Sequence, residues 1–108
     1  MIYTLLENAD STATPGKPTT LSKTSAAFTV EVWSTNITAL TIDLEGSVSG
    51  QRWFTLASHP FDATEISNQN ASFTVNNTPY KKIRGRLSNI EGTNPSVNMI
   101  VEAFGDDE

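Results

Sequence analysis

Acid–base, metal and nucleophile chemistry have few side chains to draw on in this chain of 108 residues: one histidine, twelve carboxylates and no cysteine. His59 precedes Pro60 and reads as a loop histidine. A zinc site needs several nitrogen or sulfur ligands, and a single imidazole does not supply them. No serine stands with that histidine and an acid in a motif that would make a nucleophile. Asp62 with Glu65, and Asp106 with Asp107, could offer oxygens to a hard cation. Neither pair has the spacing of a calcium loop, so both are expected to be solvated acids. Asp43 and Glu45 share one strand face, side by side rather than across the cleft that glycoside hydrolysis requires. The expectation is a non-enzyme, with no catalytic residue, no cofactor and no metal.

Binding chemistry is better represented. Lys81, Lys82, Arg84 and Arg86 lie within six positions, and Lys82, Arg84 and Arg86 share one face of an alternating strand. One reading pairs them across strands with outward acids such as Glu31, Asp43, Glu45 or Glu102, each pair worth a few tenths of a kcal/mol. The other makes them an interface for an acidic protein surface, with Lys17, Lys23 and Trp33 as further interface candidates. Nucleic acid is not an expected partner: the net charge is −5, and no stacking aromatics alternate with the cations. Trp33 shares parity with Thr29 and Glu31, opposite the apolar side, and is expected to be exposed. It could anchor a protein contact or stack a sugar ring. Trp53, just past a turn, is expected to fold over its hairpin as core and is the second sugar-stacking candidate.

These residues need strands to position them. Hydrophobic content is 37%, with abundant Ser, Thr and Asn, as suits sheets with one polar face. Phe28, Val30 and Val32 alternate with polar neighbours, as do Leu40, Ile42 and Leu44. Strands follow at residues 52–56, 72–75, 80–90 and 96–104. Turns are expected at Ser34-Thr35-Asn36, at residues 47–50, at Asn76-Asn77-Thr78-Pro79 and at 91–95. No window shows a helical repeat. The fold expected is all-β: a single antiparallel sandwich, jelly-roll-like, of seven to eight short strands with an extended N-terminal arm. Residues 1–26 form the first strand and arm, 27–105 the sandwich and 106–108 an acidic tail. The arm is read as a flexible loop or as a segment that orders on a neighbouring subunit.

The expected core is Phe28, Val30, Val32, Leu40, Ile42, Leu44, Phe73, Val75, Ile83, Leu87, Val97, Met99 and Val101. Gly85 inside a strand marks a bulge or a close backbone approach. No apolar run reaches the length of a membrane helix and no signal peptide is legible, so no membrane partner is expected and synthesis is placed in the cytoplasm.

Residues 45–56, Glu45-Gly46-Ser47-Val48-Ser49-Gly50-Gln51-Arg52-Trp53-Phe54-Thr55-Leu56, resemble an "EGS-x-DG-x-x-W-x-x-L" hairpin. That hairpin recurs in small β-sandwich proteins of tailed bacteriophages and in discoidin-like carbohydrate-binding domains. Tyr80-Lys81-Lys82-Ile83-Arg84-Gly85-Arg86-Leu87-Ser88 resembles the "Y-x-x-(I/V)-R-x-x-(L/V)-(S/T)" strand that follows it in the phage proteins. Ser49 stands where aspartate is usual. The resemblance covers residues 26–104 and implies a virion structural protein, foremost a capsid decoration protein that binds the assembled head. The implied partner is the major capsid protein or another virion protein, and the implied state a homo-oligomer, expected as a trimer. The alternatives are a carbohydrate-binding module of a phage tail or surface protein, and a tail or head-completion accessory.

Overall fold

The computed structural model describes residues 2–13, 15–21, 27–76 and 80–104, and these are nearly all antiparallel β. In chain order they form β1 (Ile2–Ala9), β2 (Thr19–Thr20), β3 (Ala27–Ser47), β4 (Phe54–Pro60), α1 (Ala63–Asn68), β5 (Asn70–Asn76) and β6 (Lys82–Phe104). Two strands dominate. β3 has 21 residues and β6 has 23, and they pair from Ala27 opposite Phe104 to Ser47 opposite Lys82.

The turns expected at Ser34-Thr35-Asn36 and at residues 91–95 therefore do not end strands. Asn36 (φ 60°), Gly92 (φ 153°) and Asn94 (φ 50°) take left-handed backbone, as turn residues do. Here the two irregular stretches face each other: pairing steps from Thr35 opposite Ser96 to Ile37 opposite Gly92 and Ala39 opposite Glu91. Both strands bend together and the same ladder resumes beyond the bend. Gly92 lies so close to Asn36 that a Cβ there would strike the Asn36 carbonyl oxygen. Pro95 sits inside the bulge, where no ladder N–H is required. Six strands thus replace the seven or eight short ones expected, each long strand spanning two of them.

The bend splits the ribbon into halves. Residues 27–35 and 96–104 carry β5 on one side and β1 on the other; residues 37–47 and 82–91 carry β4 and β2. Alternate residues of both halves enter one core: Phe28, Val30, Val32, Val97, Met99 and Val101 from the first, Leu40, Ile42, Leu44, Ile83 and Leu87 from the second. The expected core residues are buried except Phe73, which is half-buried beneath His59. The halves meet at Gly85, where an added Cβ would lie 2.6 Å from Met99 Sδ and 3.1 Å from Leu6 Cγ. A close approach, not a bulge, explains that glycine.

In the N-terminal segment, expected as a strand and an arm, β1 and β2 pair with β6 of the same chain. Leu5, Leu6 and Leu21 are buried in the core. Gly16 N–H donates to the Gly85 carbonyl at 2.8 Å and Leu21 N–H to the Lys81 carbonyl at 2.7 Å.

One short helix was not foreseen. α1 has six residues and one apolar contact to the core, Ile66, too little for a periodic signal. Its sequence mark is the capping box: Asp62 Oδ1 accepts from Glu65 N–H at 2.8 Å, and Glu65 Oε1 accepts from Asp62 N–H at 3.0 Å. Gln69 (φ 59°) ends the helix and secures the bend of β3. Its side chain accepts from Ile37 N–H at 3.0 Å and donates to the Ile37 carbonyl at 3.1 Å and the Ile66 carbonyl at 2.6 Å. Its own carbonyl accepts from Ser34 N–H at 2.8 Å and Ser34 Oγ–H at 3.1 Å. Backbone groups orphaned by the bulge are thereby satisfied.

Gln69→Ala is expected to lower unfolding free energy by about 2 kcal/mol, because it strands a buried backbone donor and acceptor. Urea unfolding measures this. Gln69→Gly, which relaxes the left-handed backbone, should lose nearly as much, and a neutral result would show that the side chain does not secure the bend. Gly85→Val is expected to cost about 1–3 kcal/mol by overpacking against Met99 and Leu6, read in the same assay.

Candidate functional site

Alternation places Lys82, Arg84 and Arg86 on the outer face of the second half, opposite Ser47, Glu45 and Asp43 of β3. Glu45 organises them. Its side chain is only 6% exposed; it accepts from Arg84 Nε–H at 2.7 Å and lies 3.7 Å from Arg86 Nη1. Arg84 is itself largely covered, because Trp53 lies over it with the guanidinium 4.3 Å from the ring centroid. A charge-assisted bond in a place this dry is strong, and either partner left alone would be a buried unpaired charge. Asp43, also buried, accepts from Ser88 Oγ–H at 3.3 Å.

The hairpin serves this cluster. Ser47 Oγ accepts from Gly50 N–H at 2.8 Å, while Ser49 Oγ accepts from Gln51 N–H at 3.1 Å and Arg52 N–H at 3.4 Å. Ser49 thus makes the turn bonds that an aspartate would make there. A Cβ on Gly46 would stand 2.8 Å from Tyr80 Cγ and 2.7 Å from Leu56 Cδ1. The two sequence patterns are therefore complementary in space: Glu45 and Trp53 enclose Arg84, and Gly46 makes room for Tyr80. Trp53 is half-buried on the outer face beneath a cation, not in the core as expected. Arg84 is committed inward. Arg86, Lys81 and Arg52 remain exposed, and Lys82 reaches the Val48 carbonyl at 3.4 Å.

His59 lies in β4, opposite Ile42, rather than in a loop. Its ring stacks on Phe73 (4.5 Å between centroids) and meets Phe61 edge-on (6.0 Å), and Nε2–H donates to Glu65 at 2.9 Å. Glu65 also completes the capping box of α1, so histidine and acids together fasten the helix to β4 and β5. Asp62 and Glu65, expected as solvated acids, serve each other. Among the described residues, no three of His, Cys, Asp or Glu are grouped closely enough to hold a metal ion. No described helix is long and apolar enough to cross a membrane.

Trp33 stands on the outer face of the first half and is 41% exposed. It faces Asn70 of β5 on one side and Asn98 of β6 on the other. Asn98 is held in place by Asn8, whose N–H donates to Asn98 Oδ1 at 3.0 Å. Sequence parity had found Trp33, but its two amide neighbours come from strands 37 and 65 residues away and carry no local signal. Lys17 is exposed and lines an open pocket of about 470 Å³ between β1 and residues 10–11 and 15–17, together with Glu7 and Asp10. Lys23, Asp106 and Asp107 lie outside the described residues.

No protein-family model and no curated protein matches the chain. Among solved structures it is similar to the Yersinia pseudotuberculosis-derived mitogen (YPM), at 12% identity over 100% of this chain and 86% of that one, with a TM-score of 0.45. A likeness at that level carries no argument about fold or function.

Glu45→Ala is expected to destabilise the protein by about 3 kcal/mol, since it leaves Arg84 covered and unpaired. Arg86→Ala should stay within about 0.5 kcal/mol, its contact being long and half exposed. A double-mutant cycle between Trp53 and Arg84 should give a coupling of about 0.5–1 kcal/mol. Equal losses for Glu45→Ala and Arg86→Ala in denaturant titration would refute this ranking.

Proposed function

We propose that the chain is a non-enzymatic virion structural protein, a capsid decoration protein that binds the assembled head of a tailed bacteriophage as a homotrimer and stabilises it. The observation that carries the reading is how the charged groups divide. The titratable side chains that are buried or half-buried in the sheet are engaged: Glu45 with Arg84, Asp43 with Ser88, His59 with Glu65. Arg86, Lys81 and Arg52 instead face solvent around one hairpin of a protein whose net charge is −5. A local basic edge on an acidic molecule suits an acidic protein surface, where complementary charge speeds and orients docking. The resemblance of residues 45–56 and 80–88 to phage virion proteins supports the same role.

The finer fold reading belongs with it. Counting each long strand as two segments gives eight. In one half their order is first, eighth, third, sixth; in the other it is second, seventh, fourth, fifth. That order supports the jelly-roll reading, an architecture of two Greek keys used in viral capsid and lectin domains. Binding only the assembled lattice would stabilise that lattice by mass action.

Adding purified protein to capsids that lack it tests the reading. Saturable binding is expected, with Arg86→Glu and Lys81→Glu each weakening it about tenfold at low salt. Binding to tails with none to capsids would overturn the decoration role and leave a tail accessory.

A further inference from the structure

We infer that the outer face around Trp33 is a saccharide-binding site, in which the indole stacks on a sugar ring and the amides of Asn70 and Asn98 hydrogen-bond its hydroxyls. The inference stands apart from the capsid reading. It uses the opposite half of the molecule from the basic edge.

Three observations carry it. The first is register. Asn98, Trp33 and Asn70 occupy one row across β6, β3 and β5, so each amide originates about 4.8 Å to either side of the tryptophan. Asn98 is fixed by Asn8 through its Oδ1, and among the described residues no hydrogen bond engages its NH₂. Stacking with flanking amides is chemistry suited to a polyol, because aliphatic ring faces meet the indole while amides both donate and accept.

The second is charge. Along this face the neighbours are Glu31 and Thr35 on β3, Ser72 and Thr74 on β5, and Ser96, Ile100 and Glu102 on β6. No lysine or arginine is among them, which disfavours an acidic protein, a phosphate or a nucleic acid. A stacking indole between two amides, with Glu31 available to accept from hydroxyls, favours a neutral saccharide among the ligands that are not anionic.

The third is the shortage of apolar area. A stable protein interface takes about 800 Å² per partner around an apolar core. Trp33, the half-buried Ile100 and, at the edge of the face beside Glu102, the exposed Ile2 are its large apolar side chains. They are separated by amide, hydroxyl and carboxylate positions and form no continuous apolar core. One stacking ring within polar groups suits a small polar ligand better than a second copy of the chain.

The test is titration of cellohexaose, chitohexaose and maltohexaose at millimolar concentration, followed by two-dimensional NMR of the ¹⁵N-labelled protein. At least one of them is expected to shift the Trp33 indole N–H and the Asn70 and Asn98 side-chain amides saturably. Trp33→Ala should abolish the effect with the unfolding midpoint unchanged. Asn70→Ala and Asn98→Ala should each weaken binding about three- to tenfold, as loss of one hydrogen bond predicts. Trp53→Phe should leave it intact. The inference is overturned if none of the three sugars moves these signals, if the shifts centre on Trp53, or if Trp33→Ala binds as well as the parent. It is also overturned if the Trp33 signal responds to protein concentration without sugar, which would assign the face to a second copy. Capsid binding by Trp33→Ala is scored separately, so either reading can fail alone.

Discussion

β3 and β6 can bend only because they bend at the same place, and the rest of the molecule depends on that coincidence. A left-handed residue in one strand of a ladder normally breaks pairing or terminates the strand. Here Asn36 faces the stretch holding Gly92 and Asn94, so the irregularities absorb each other and the pairing continues. The fold-over brings Gly85 against Met99, seven residues to either side of Gly92. A core that neither half could enclose alone is thereby closed, and the open edges of each half are left for the short strands β1, β2, β4 and β5 to cover.

The same geometry decides what the conspicuous residues are for. Five positions of the recognisable patterns, Glu45, Gly46, Trp53, Tyr80 and Arg84, form one contact cluster at the end of the second half. A pattern split between a hairpin and a strand thirty residues later is what a cross-strand interaction leaves in a sequence. Its chemistry is internal: it fastens the hairpin to β6 with a charge, a ring and a missing side chain. The basic stripe consequently divides. Arg84 belongs to the fold, while its outward neighbours are available to a partner.

Much of this was legible in the residues. Alternation located the buried faces of β3, β5 and β6, the shared outer face of Lys82, Arg84 and Arg86 and the exposure of Trp33, because a period of two is local and survives any topology. The bends were not legible. Asn36, Gly92 and Asn94 announce left-handed backbone, but whether that backbone reverses a chain or bends it depends on what lies opposite, and no local window contains that. The N-terminal segment was misleading for a related reason. Leu5, Leu6 and Leu21 are too few and too far apart to show a period, and their burial is decided by a ladder to residues near the other end of the chain. α1 was lost to brevity, although Asp62 and Glu65 spelled out its cap.

The bend also bears on the exposed row at Trp33. Ser34 follows Trp33 directly, and Gln69 precedes Asn70; the Gln69 carbonyl accepts both hydrogen bonds from Ser34. The clamp that satisfies the bulge therefore fixes the backbone of two of the three row residues, and Asn8 fixes the third. A surface ligand of modest size has little binding energy to spend on ordering its site, so affinity depends on side chains already held in place. Elsewhere on the described surface, exposed apolar groups such as Ile2, Val48 and Phe54 sit on the edge strand β1 or at or beside a hairpin tip. Trp33 sits one residue from the joint at which Gln69 ties Ser34 and Ile37 together. The joint fixes the backbone that carries the exposed Trp33 indole, which lowers the ordering cost a stacked ligand would meet.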